Sequence, residues 1–135
     1  MNGSTARRTS PEYVSPGALG EVLDLDHLAR QTLHDPELER QIVAMFFEQS
    51  AEVLRQIWDA AEHRQRMEAA HRLKGSARAV GAWRVAEASG RVEALPAHAP
   101  DDHVLEAVAG LHAKVAEARA VIAGLLDGDG AVAGL

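Results

Sequence analysis

His71, Lys74, Gly75 and Arg78 stand at intervals of three, four and seven residues from the first of them. On an α-helix those intervals bring side chains to one face. An exposed imidazole is largely unprotonated near neutral pH, so it can attack phosphorus without a neighbouring base and needs no catalytic triad. Once phosphorylated, the ring would carry close to two negative charges. Lys74 and Arg78, one and two turns further on, are placed to offset them. Met67, four residues before the histidine, adjoins the same face. Gly75 costs about 1 kcal/mol relative to Ala inside a helix. The compensation expected is clearance, because a missing side chain beside His71 lets another protein's active site approach the ring.

That chemistry requires a helix whose core lies on the opposite side. Ala70, Leu73, Ala77 and Val80 fall within roughly 80° of arc, and His71 projects about 140° from the middle of that stripe. A helix is therefore expected from about Arg66 to Val80, after a polar link from Glu62 to Gln65 and before a stop or kink at Gly81.

The flanking sequence supplies further helices. Leu23, Leu25, Leu28, Ala29 and Leu33 suggest a short first one, with Asp24 or Asp26 as cap. Asp35 and Pro36 have the types of an N-cap and a first helical residue, and open a second that lasts to about Ala61. Its stripe is Leu38, Ile42, Met45, Phe46, Val53, Leu54, Ile57 and Trp58. A fourth segment, Ala82 to Leu95, sets Val85, Ala88, Ser89, Val92 and Leu95 on one side and ends before Pro96. The last, behind Asp101 and Asp102, alternates steps of four and three through Val104, Val108, Leu111, Val115, Ala118, Ile122 and Leu125.

These segments predict an all-α fold, an antiparallel up-down-up-down four-helix bundle with a short additional N-terminal helix. The bundle should occupy residues 21–126. Residues 1–20, rich in Ser, Pro and Gly, read as a flexible lead-in, and 127–135 as a flexible tail too rich in Gly to continue a helix.

Composition narrows the function classes. The 135 residues carry a formal charge of -6, which disfavours nucleic acid as a partner. No cysteine is present, which excludes disulfides and thiolate chemistry and fits a cytoplasmic setting. No segment has the length of a membrane span. The seven histidines include no i,i+4 pair of the kind that binds zinc, so no metal site is expected. Phe46, Phe47, Trp58 and Trp83 are expected in the core or at its edge.

The run HRLKGSARAVGA, from His71 to Ala82, resembles the signature of the histidine phosphotransfer (Hpt) domain, commonly His-x-Leu-Lys-Gly-Ser-Ser followed by Gly-Ala. The resemblance extends from about Val22 to Leu95. It implies that His71 accepts a phosphoryl group from a receiver-domain aspartate and returns it to another. The receivers would be those of a hybrid histidine kinase and a response regulator, and Mg2+ and most catalytic groups would come from the receiver. The chain itself would be a monomeric phosphocarrier without a cofactor or ATP site, rather than an enzyme. Lys74 would assist the phosphorylated state, Gly75 would permit docking, and Glu93 would stand where members often have a Gln or Glu that hydrogen-bonds the imidazole. Ala77 and Arg78 depart from the signature, and Arg78 points to partner choice rather than chemistry. Two alternatives remain open: a helical adaptor with His71 incidental, and a detached phosphoacceptor domain of a chemotaxis-type kinase. A kinase dimerisation helix fits less well, since Arg72 rather than an acid follows the histidine.

Overall fold

Local capping signals set the helix starts. The structure, a computed structural model, describes residues 22–132, with side chains as far as 128. The expected lead-in at 1–20 lies outside the described residues. Five helices and no strand are found among them: α1 (Leu25–Gln31), α2 (Pro36–Asp59), α3 (His63–Val80), α4 (Trp83–Glu93) and α5 (Asp101–Val132). Asp24 caps α1 by accepting from the His27 N–H at 3.1 Å. Asp35 caps α2 by accepting from the Glu37 and Leu38 N–H groups, and Pro36 occupies the first turn, where no donor is needed.

Three boundaries differ from the sequence reading. Helix α1 stops at Gln31 because Leu33 and His34 take left-handed backbone angles, which leaves Leu33 86% exposed instead of packed. Helix α3 begins at His63, three residues before Arg66, because Glu62 and Gln65 form a reciprocal capping box. Helix α5 runs to Val132, past the stop expected after Leu126. Adding residues to an existing helix needs no new nucleation, so glycines there weaken it without ending it.

Helices α2 to α5 form a closed ring of neighbours, each packed on the next and α5 back on α2. The α2–α5 pair is antiparallel: Phe47 midway along α2 meets Arg119, while Trp58 near its end meets His112, earlier in α5. Phe46, Ile57, Leu73, Val85, Val92, Leu111, Val115 and Ile122 are buried in the centre. The stripe read on α2 is too wide. Val43 and Ser50 replace Leu38, Met45 and Trp58, which are respectively 39, 69 and 42% exposed. Trp58 instead donates Nε1–H to His112 Nδ1 at 3.2 Å on the surface. Trp83 is also at the edge, and Phe47 is half-buried beneath the Arg119 guanidinium, 3.8 Å from its centroid.

The turn from α3 to α4 fixes the register of the site. Gly81 has φ +82°, and its carbonyl accepts the Asp24 N–H at 2.9 Å. A Cβ on Gly81 would lie 2.9 Å from both Cβ and O of Asp24, so conformation and space both demand glycine. Helices α3 and α4 share the most extensive contact of any pair, with the small residues Ala70, Ala77, Ala86 and Ala88 buried along them. Small contact residues let helix axes approach closely.

Candidate functional site

His71 lies near the middle of α3, between Ala70 and Leu73, which are wholly buried, and its own side chain is 67% exposed. The core stripe and the outward ring therefore sit as the helical projection requires. Across the narrow α3–α4 contact stands Glu93, the last residue of α4. Its Oε2 is 2.7 Å from His71 Nδ1, and its Oε1 is 2.6 Å from Lys74 Nζ. One carboxylate thus holds both the ring and the ammonium. Lys74 reaches it by laying its stem over Gly90, where a Cβ would be 3.7 Å from Lys74 Cδ.

The charge on Glu93 decides the state of the ring. Its hydrogen bond from the Lys74 ammonium, and then the one from His71, hold its carboxyl below the usual carboxylate range against the opposing effect of partial burial. An ionised carboxylate can only accept, so Nδ1 must carry the ring proton. The tautomer follows from the partner. In the neutral ring Nε2 then keeps its lone pair. The arrangement offers an oriented nucleophile, with a cation three residues along the same helix.

The remaining residues singled out in the sequence share the ridge, with no hydrogen bond to the ring among the described residues. Arg78 is exposed, and its side chain meets no acid among the described residues. Met67 is half-buried, and Gly75 is exposed. A Cβ on Gly75 would find nothing within 4 Å, so no contact among the described residues calls for glycine there. The sequence reading missed three features: the Lys74–Glu93 pair, the gap at Gly90, and the bond from Arg72 Nη2 to Gln56 Oε1 at 2.6 Å that ties α3 to α2. Gly90, one turn before Glu93, was the available signal for the first two.

Among the described residues, no helix is long and apolar enough to cross a membrane. Compared with known proteins, the chain matches the family model of the Hpt domain over residues 41–121, more than half of its length. No curated protein and no solved structure matches it. The matched span runs from the second turn of α2 into α5 and includes His71, Lys74, Gly75, Arg78 and Glu93. The chain belongs to the Hpt domain family, whose members serve two-component signalling as phosphocarriers on histidine.

Proposed function

We propose that His71 is the phosphoacceptor and that the protein relays a phosphoryl group between receiver-domain aspartates in the cytoplasm, one on a hybrid histidine kinase and one on a response regulator. The observation that carries this reading is an exposed His71 ring whose Nδ1 lies 2.7 Å from Glu93, which leaves Nε2 as the nucleophile when Glu93 takes Nδ1–H. In the forward step the Nε2 lone pair attacks phosphorus and the Nε2–P bond forms. The acyl P–O bond breaks, and the departing aspartate keeps its electron pair as a carboxylate. The Nδ1 proton stays on the ring, where the Glu93 carboxylate offsets the positive charge that develops. Lys74 turns one of its N–H donors from Glu93 toward the phosphoryl oxygens. Gly75 leaves room for the partner. The receiver supplies Mg2+ and the remaining catalytic groups.

The test is transfer from a phosphorylated receiver domain. The expected product is an acid-labile, base-resistant phosphoramidate at His71, and His71→Gln should not be labelled. Labelling of His71→Gln at the wild-type rate would overturn the assignment.

A further inference from the structure

Helix α3 has a charge unlike that of the rest of the chain. It contains Arg64, Arg66, Arg72, Lys74 and Arg78 against the single acid Glu68, a formal +4. The whole chain is at -6, which leaves -10 on everything else. Among the described residues outside α3, Arg40, Arg55, Arg84 and Arg91 each face a carboxylate, while Arg119 meets the Phe47 carbonyl and ring. On α3, Arg64 and Lys74 face Glu68 and Glu93. Arg72 binds the neutral amide of Gln56, and Arg78 meets no acid among the described residues.

Helix geometry arranges these charges around His71. Arg64 and Arg78 stand seven residues to either side, each within about 20° of the ring's direction and about 10 Å along the axis. Arg72 points about 100° away, on the side of α2, and Lys74 leans toward α4. An ordinary solvated helix face intersperses both signs and pairs them at i,i+4, as Arg55 and Arg91 do on α2 and α4. On the ridge of α3, Arg78 on one flank of the ring and Arg72 beside it carry charge that no carboxylate offsets among the described residues.

We infer that this ridge is a cationic docking strip for a receiver whose surface around its aspartyl phosphate is rimmed with acidic side chains, and that Arg72 and Arg78 govern how fast such a partner is captured. The inference rests on the phosphotransfer reading above. An aspartyl phosphate is itself a multiply charged anion, so a complementary field draws in the loaded partner ahead of the discharged one. Surface fields of this kind raise association rates by about 10- to 1,000-fold at low salt and fade as the Debye length contracts. The acidic remainder of the chain repels an acidic-rimmed receiver everywhere but on this one face, so orientation is set along with rate.

The experiment measures single-turnover transfer from two receiver domains loaded with acetyl phosphate, one with an acidic rim and one with a basic rim. For the acidic receiver, the second-order rate should fall at least about tenfold from 50 to 500 mM NaCl, while the rate at saturating receiver changes by less than about twofold. Arg72→Glu and Arg78→Glu should each lower the low-salt second-order rate several-fold, with Arg78→Gln between Arg78→Glu and wild type. The basic receiver should be slower and gain from salt. A wild-type second-order rate that ignores salt, or charge-reversed variants as fast as wild type, would overturn the inference while leaving His71 as phosphoacceptor. Salt-sensitive self-association, seen by sedimentation, that is lost in Arg78→Glu would also overturn it by assigning the ridge to a second copy. Unchanged labelling of His71→Gln would remove the phosphoacceptor itself, a different failure.

Discussion

His71 and Glu93 are 22 residues apart in the chain, yet Nδ1 and Oε2 meet at 2.7 Å. The contact exists because the Gly81 turn folds α4 back along α3 and small buried residues keep the two helices close. A single carboxylate then selects which ring nitrogen is free.

Glu93→Ala should therefore change the ring before it changes the fold. Loss of one charge-assisted hydrogen bond, about 1.5–3 kcal/mol, predicts labelling slower by about tenfold or more, with Glu93→Gln intermediate because its amide oxygen still accepts. Nitrogen NMR of the imidazole gives the direct readout. The wild-type ring should be protonated at Nδ1, and the Ala variant should populate the Nε2–H form. An unaltered tautomer in Glu93→Ala would separate Glu93 from the nucleophile.

Gly75 should behave differently from a structural glycine. Since a Cβ there meets nothing within 4 Å, Gly75→Ala should raise stability by up to about 1 kcal/mol through helix propensity. Gly75→Leu should fold as well but slow transfer from a receiver, because the added bulk stands beside the ring. Denaturant midpoints together with transfer rates check both outcomes.

Gly81 should show the reverse. Gly81→Ala forces a non-glycine residue to φ +82° and drives its Cβ to 2.9 Å from Asp24 backbone and side-chain atoms. The expected loss is at least about 1–2 kcal/mol from the left-handed conformation alone. A thermal melt indistinguishable from wild type would show that the α1 contact yields freely.

Asp24 ties the same turn to α1, and it titrates. The Trp83 indole N–H, at 2.9 Å, and then the His27 backbone N–H hold its carboxyl below the usual range. A depressed folded-state value means that the stabilisation is complete above the unfolded pKa and is lost as pH falls through the folded one. Glu93 has the same sign. From these two groups, stability should be level between about pH 5 and 8 and decline below about pH 4. Asp24→Asn should melt lower at neutral pH, because the Trp83 indole N–H then donates to a neutral amide oxygen instead of a carboxylate, and should lose less on acidification.

Legibility in the sequence followed the range of the interactions. The start of α2 was legible because Asp35 and Pro36 act within one turn, and the outward face at His71 followed from Ala70, Leu73, Ala77 and Val80, four of the five buried residues of its own helix. The start of α3 was missed because Glu62 is an unusual N-cap residue, and Gln65 was assigned to the link. Met45 was read as core because the periodicity of α2 does not reveal how wide a contact its neighbours make. At the site, His71, Lys74 and Glu93 were each named, but the sharing of one carboxylate between ring and ammonium depends on the α3–α4 spacing. Ring orientation was equally out of reach, since it needs the distance across two helices.

The Asp24–Gly81 junction also governs tethering. Because the backbone of Asp24 is fastened at the α3–α4 turn, the first described residues lie beside that turn, about ten helical residues or 15 Å along α3 from His71. A receiver fused at that end through a flexible linker would present its aspartate at high effective concentration, and exchange would turn unimolecular. A rigid helical fusion at the same point would hold it off.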